Sequence, residues 1–203
     1  MLIIIPKLGP LENNAYIVVI NKEAILVDAP PEGNKIIAKL NEEKLKLRYI
    51  LITHGHPDHI ASANFLKQET NAEIIANEND MNMFLKPWNL PFIKAKPFKP
   101  DILLKDHDEI KLGNKKFISL KVIHTPGHTQ GSICFYNEKE KAAFTGDTLF
   151  YRAIGRTDLP EGNYKQIITN IKERLFNLPE ETKVYPGHWS STSIGFEKKN
   201  FSF

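Results

Sequence analysis

The run "LRYILITHGHPDHI", Leu47 to Ile60, constrains this chain more than any other feature. Its first half, "LRYILIT", is a short, unbroken apolar stretch rich in β-formers, the pattern of a buried strand. Its second half crowds three histidines and one aspartate into the seven residues Thr53 to His59, in a chain with only seven histidines. Proline suits the first turn of a helix, so Pro57 predicts a helix from there to about Gln68. The chain must therefore bury a strand and hold a polar cluster where that strand passes into a helix. In α/β proteins this is a place where ligands bind.

The rest of the sequence fits the same class. "AYIVVI" and "EAILVDA" are β-rich runs, while "EGNKIIAKLNEEKL" sets Ile36, Ile37, Leu40 and Leu45 near helical spacing. "DEIKLGNKKFISLKVIHT" predicts a hairpin turning at Gly113-Asn114, followed by strands around Cys134 and Phe144. A long helix is expected from about Tyr164 to Phe176, with Ile167, Ile168, Ile171 and Leu175 on one face. Strands alternating with helices, hairpins among them, make a layered α/β domain. With 203 residues, 41% hydrophobic, and no repeat or linker, a single domain over 1–203 is expected. "MLIIIPKLGP" reads as a first strand rather than a signal peptide, its apolar run being too short and not preceded by basic residues.

Composition narrows the partners. A net charge of +3 with lysines scattered among acids makes a mildly basic surface with no concentrated stripe for nucleic acid. No stretch approaches the roughly 20 apolar residues of a membrane span. Cys134, in the strand-like "GSICFYN", is the only cysteine, so no internal disulfide can form and a reducing, cytoplasmic setting is expected. One segment breaks the pattern. Lys86 to Pro100 holds four prolines and cannot be regular helix or central strand. Its aromatics Trp88, Phe92 and Phe98 suit a lid over a site or, equally, anchors for a surface loop.

Geometry explains the histidine cluster. His54 and His56 lie two apart in extended chain, so both imidazoles can point to one side. Pro57 turns the chain, which carries Asp58 and His59 toward a neighbouring point. One heptapeptide can thus serve two adjacent metal ions. A catalytic zinc usually takes three protein ligands, so two sites need more than this stretch offers. "HTPGHTQGS" supplies His128, "FTGDTLF" supplies Asp147 and "VYPGHWS" supplies His188, each beyond an apolar strand and beside a glycine.

His-x-His-x-Asp-His, then His in "TPGHT", Asp in "GDTLF" and His in "YPGH", resembles the metallo-β-lactamase superfamily, and within it the small, single-domain glyoxalase II-like (hydroxyacylglutathione hydrolase-like) proteins. The resemblance spans nearly the whole chain. It implies an αββα four-layer sandwich, two β-sheets face to face with helices outside, and a binuclear site at one edge. Carried over, it gives His54, His56 and His128 to one metal, Asp58, His59 and His188 to the other, and Asp147 to both. The catalytic carboxylates would be Asp58 and Asp147. Diiron relatives that reduce oxygen usually carry Glu where His56 stands, which favours hydrolysis. His124 and His107 match no ligand position. His124 reads as a strand-end residue, with a place behind the ligands as the alternative, and His107 as a solvated loop residue.

Two divalent metals, zinc first with iron or manganese tolerated, would activate a water and polarise a carbonyl. Asp58 can accept a hydrogen bond from that nucleophile and aim it. A thioester suits such a site, because its thiol, with a pKa of about 8.5, leaves as thiolate with little help. The expected activity is therefore a metal-dependent thioesterase of glyoxalase II type acting on a small hydroxyacyl thioester. Arg156 in "GRTDLPEGN" stands where the family places a basic residue near the substrate's anionic tail; the other reading pairs it with Asp158. Asp158 and Ser190 fall where tyrosines that contact glutathione are expected, and the chain stops at "GFEKKNFSF" without the helical segment of full-length glyoxalase II, so recognition of glutathione stays open. "GRTD" also occurs in persulfide dioxygenases, where His54, His128 and Asp147 would hold one iron; "YPGH" in place of "YPAH" favours the hydrolase. A nuclease would bring an inserted domain or protruding arm, and a non-enzymatic metal-binding module would not need seven ligand residues.

Overall fold

The computed structural model describes residues 1–202. One sheet runs in the order β1 (Leu2–Leu8), β2 (Asn13–Ile20), β3 (Glu23–Val27), β4 (Lys46–Leu51), β5 (Glu73–Asn77), β6 (Ile102–Leu104). Its first two pairings are antiparallel and the other three parallel. β7 (Glu109–Gly113), β8 (Phe117–His124), β9 (Ile133–Asn137) and β10 (Ala142–Gly146) build the second sheet, and a short ribbon, β11 (Leu149–Phe150) with β12 (Ala153–Ile154), follows. β13 (Lys183–Pro186) then pairs parallel to β10, and β14 (Thr192–Ser193) closes the far edge.

The period-two pattern of the strands divides the apolar residues into layers. Along β2 and β3, Tyr16, Val18, Ile25 and Val27 face the second sheet and meet Leu120, Val122, Phe135 and Phe144 there. Their neighbours Ala15, Ile17, Val19, Ala24 and Leu26 point the other way, against Ile36 and Leu40 of α1 (Gly33–Glu42). On the outer side of the second sheet, Cys134 and Val184 pack under Ile167, Ile171 and Ile194. Three apolar seams between four layers give the αββα sandwich, and each fully buried Ile or Leu in them contributes roughly 1.5–3 kcal/mol. Cys134 is a buried free thiol whose pKa is pushed up to about 11 by that burial.

The helix expected from Pro57 to Gln68 is in fact two, α2 (Pro57–Ile60) and α3 (Ala63–Thr70). The interruption is tertiary in origin. Segment 29–30 intervenes: Ala29 N–H donates to His59 O, Ser62 N–H to Ala29 O, and the Ser62 hydroxyl to Pro30 O. The 81–85 stretch forms α4 (Met81–Leu85). The helix expected over Tyr164–Phe176 begins as α5 (Tyr164–Asn170) and widens into a π turn over Ile171–Leu175, where Phe176 N–H reaches Ile171 O. Ile167, Ile171 and Leu175 stay buried through the change. The chain ends in α6 (Ile194–Asn200).

The hairpin turn lies where expected, with Gly113 at φ +101° between β7 and β8. Lys86–Pro100 is irregular, apart from a bridge between Leu90 and Ile93. Phe98 anchors it, stacked on Phe84 in the core, whereas Phe92 is 85% exposed. Among the described residues no helix is long and apolar enough to cross a membrane.

Candidate metal centre

At one edge of the sandwich the two sheets are tied together. Ile133 N–H donates to Thr53 O, Asn14 N–H to Gly187 O, and the Tyr16 hydroxyl to Pro186 O at 2.6 Å. The turns that leave β4, β8, β10 and β13 converge there and carry the histidines and aspartates. His56 is extended (φ −67°, ψ 144°) and Pro57 opens α2, so His54 and His56 come from the loop while Asp58 and His59 come from the helix. His128, Asp147 and His188 arrive from the other sheet. Glycine is needed where these turns touch. A Cβ on Gly187 would stand 2.4 Å from Asp147 Oδ1 and 2.6 Å from His59 Cε1.

All seven expected ligand residues meet. They form groups able to hold a metal: His54, His56 and His128; Asp58, His59 and His188; and His54, His59 and Asp147. Asp147 lies between the first two, with Oδ2 3.6 Å from His128 Nε2 and 3.5 Å from His188 Nε2, and Oδ1 3.2 Å from His59 Nε2.

The outward nitrogens of four imidazoles are held by acceptors. His128 Nδ1 donates to Arg156 O at 2.8 Å, His188 Nδ1 to Leu11 O at 2.9 Å, and His59 Nδ1 to Asp28 Oδ2 at 2.8 Å. His54 Nδ1 donates to Thr53 Oγ1 at 3.1 Å, because that hydroxyl spends its own proton on Asp28. Each outer bond orients its ring, and in the neutral His54 and His128 it leaves the inner nitrogen with a bare lone pair. His54 Nε2 and His128 Nε2 then face each other at 3.2 Å with no proton between them, and His56 Nδ1 stands 3.1 Å from His54 Nε2. Lone pairs so gathered repel, and a cation relieves them. Asp147 Oδ1 is also buried without a hydrogen bond. The donor set of imidazoles and carboxylates fits divalent metal ions.

Protonation follows the same division. Burial, reinforced by the neighbouring imidazoles, keeps His54 well below the usual histidine range and brings His56 down to about 3; burial also lowers His128. Burial works against the charged form of His59 and His188 as well, but the carboxylates outweigh it. Asp147, Asp58 and Asp28 hold His59 well above the usual range, and Asp147 with Asp58 raises His188 to about 9. For Asp58, burial is outweighed by His59, His188 and Asn13, so its carboxyl stays well below the usual range.

Three residues at the site escaped the sequence reading. Asp28, buried at the end of β3, accepts from Thr53 N–H, Thr53 Oγ1 and His59. Its signal was there, a carboxylate closing the apolar run "AILVD", as Asp147 closes "AAFTGD". Asp80 accepts from Gly55 N–H, Gly131 N–H and the Thr129 hydroxyl, tying the His54–His56 loop to the His128 loop. Asn13 donates to Asp58 Oδ2 at 2.8 Å. Neither Asp80 nor Asn13 stands out in sequence.

The remaining expectations divide. The Arg156 guanidinium is largely exposed and pairs bidentately with Asp158 at 2.8 and 2.7 Å, while its carbonyl serves His128. His124 ends β8 and bonds Gln130 O rather than a ligand residue, and His107 is an exposed loop residue. Trp88 does border the site, its ring 5.5 Å from that of His56, and Trp189 stacks edge-on against Phe150 beside His188. A cavity of about 840 Å³, lined by Phe117, Phe144 and Tyr185 among others, includes none of the clustered histidines.

Residues 8–188 match the profile of the metallo-beta-lactamase superfamily. The chain is 38% identical to the hydroxyacylglutathione hydrolase GloC of Haemophilus influenzae, over 98% of this chain and 96% of that protein. Among solved structures it is similar to BLEG-1 B3 metallo-beta-lactamase, with a TM-score of 0.89, 32% identity and coverage of 98% and 97% of the two chains. It is likewise similar to TTHA1623 in a di-iron-bound form, with a TM-score of 0.85, 31% identity and coverage of 97% and 98%.

Proposed function

Because the chain belongs to the metallo-beta-lactamase superfamily, a family of metallo-hydrolases, we propose that it is a binuclear thioesterase that cleaves a small hydroxyacyl thioester in the cytoplasm. The position of Asp147 carries this reading, since its carboxylate lies within 3.6 Å of His128 from one ligand group and closer to His59 and His188 of the other. His54, His56 and His128 would hold one ion, Asp58, His59 and His188 the second, and Asp147 both. The likeness to a di-iron-bound protein supports double occupancy and makes iron a candidate beside zinc and manganese. The likeness to GloC supports a thioester, with glutathione as a candidate thiol.

Bound there, two divalent ions would bring a shared water toward ionisation at neutral pH and polarise the carbonyl under attack. The protein does the rest. Asp58, held ionised, accepts a hydrogen bond from the attacking water and aims it. Asp28, Thr53, Arg156 O and Leu11 O keep the imidazole tautomers fixed through the reaction. Trp88 beside His56, and Trp189 with Phe150 beside His188, border the two ligand groups with aromatic surface. The departing thiol, with a pKa of about 8.5, leaves as thiolate without a dedicated acid. Arg156 would anchor a substrate carboxylate by exchanging it for Asp158, whose carboxylate already shows the bidentate geometry.

A second reading places one iron on His54, His128 and Asp147 as a persulfide dioxygenase. The 3.2 Å approach of His54 to His128, with Asp147 3.6 Å from His128, favours it. The experiment is a substrate panel on purified protein: charged and neutral thioesters, a β-lactam, and glutathione persulfide in an oxygen electrode. Thioester turnover without oxygen uptake supports the proposal. Oxygen uptake with persulfide and no thioester turnover replaces it with the dioxygenase.

A further inference from the structure

The start of β2 reaches across to the end of β13 and the loop that follows it. Asn14 N–H donates to Gly187 O, the Asn14 amide to Pro186 O and Trp189 O, and Asn13 pairs with His188 through the backbone. This clamp seats the Asn13 side chain, fully buried, against the second ligand group. Its Nδ2 lies 2.8 Å from Asp58 Oδ2, 3.2 Å from His59 Nε2 and 3.3 Å from His188 Nε2. Its Oδ1 is buried with no hydrogen-bond partner.

Neither orientation of this amide satisfies its surroundings. As nitrogen, it donates to Asp58 but leaves its oxygen orphaned, a costly state for a buried carbonyl. After a half-turn the oxygen would face the Asp58 carboxylate, two acceptors at contact distance. A cation removes the conflict, because a carboxylate, two imidazoles and an amide oxygen can all donate electron pairs to it together. We infer that Asn13 is a ligand residue of the second group: its amide turns on metal uptake and presents Oδ1 beside Asp58, His59 and His188. The inference rests on the two-metal reading above. It makes the second group one oxygen richer than Asp58 and Asp147 alone provide, and so better suited to iron or manganese than the first. It also makes loading of the second group depend on a side-chain rotation that the first group does not need.

Asn13→Asp tests this directly, because it keeps an oxygen at the position but loses the N–H. Metal-free wild type, Asn13→Ala and Asn13→Asp would be titrated with zinc against a chelating indicator, and with cobalt(II) while the visible absorption bands are followed. Melting curves of the metal-free proteins check folding. The wild type should take two equivalents. Asn13→Ala should keep the first affinity and lose at least about tenfold at the second, with altered cobalt bands for that equivalent alone. Asn13→Asp should restore second-site affinity to the wild-type level or beyond. If Asn13 merely donates a hydrogen bond to Asp58, Asn13→Asp will bind the second ion as poorly as Asn13→Ala, and the inference is overturned. Unchanged second-site affinity in Asn13→Ala overturns it equally. If Asn13→Ala does not fold, the comparison of Asn13→Asp with wild type still decides. A wild type that takes only one equivalent removes the two-metal reading itself, a result distinct from either of these.

Discussion

His59 donates its Nδ1 proton to Asp28 Oδ2 at 2.8 Å, and that bond decides which nitrogen of His59 faces the other ligands. The same carboxylate accepts from Thr53 Oγ1, which in turn accepts from His54 Nδ1, so one buried group orients two ligands from different groups. Asp28→Asn keeps the shape but removes the charge that strengthens both bonds. Metal affinity should fall about 10- to 100-fold while the fold persists, measured by competition with a chelator. Unchanged affinity would show that Asp28 serves only the backbone of Thr53.

Gly187 is the point where the Asp147 and His188 turns touch. Alanine there would drive a methyl group into the buried Oδ1 of Asp147 and into Cε1 of the buried His59. Overpacking of this kind costs about 1–3 kcal/mol, and here the displaced residues belong to the groups that could hold a metal. Gly187→Ala should melt several degrees lower and retain less than the wild-type metal content by elemental analysis. Full metal content in a stable Gly187→Ala protein would contradict the geometry.

Arg156 separates two roles by substrate. An anchoring guanidinium replaced by alanine should lower kcat/KM for carboxylate-bearing thioesters by about 1.5–3 kcal/mol and leave neutral thioesters nearly unchanged. The melting temperature should barely move, since an exposed ion pair such as Arg156–Asp158 contributes little. Equal losses on charged and neutral substrates would reject the anchor.

His54, His188 and Asp147 test the division of labour. His54→Ala and His188→Ala should each cut thioester turnover by orders of magnitude with the fold kept, because they belong to different ligand groups. Asp147→Ala should release both ions or abolish nearly all activity. Near-normal turnover of His188→Ala with one ion retained would make the second group dispensable.

The residues that could be read from sequence are those whose signal is local. The β-rich runs "AYIVVI" and "EAILVDA" became β2 and β3, but both faces of these strands are apolar, so the division of Ile17 from Val18 and of Leu26 from Val27 between layers came only with the structure. His54, Asp147 and His188 announce themselves because apolar strands stop at them. The break between α2 and α3 was hidden because its cause, the Ala29–Pro30 segment, lies some thirty positions upstream. Asn13 and Asp80 gain their roles only when distant turns meet. The Arg156 side chain drew notice in the sequence, whereas the bond from His128 to its carbonyl becomes visible only when the two loops meet.

The central claim is that hydrolysis needs both ligand groups filled, and stepwise reconstitution measures it most directly. Metal-free protein would be given zinc in fractions of an equivalent while thioester hydrolysis is followed at each step. The account predicts little turnover up to one ion per chain and a steep rise that levels at two. Full turnover at one equivalent, or none at any zinc content with oxygen consumed once a single iron is supplied, would contradict it.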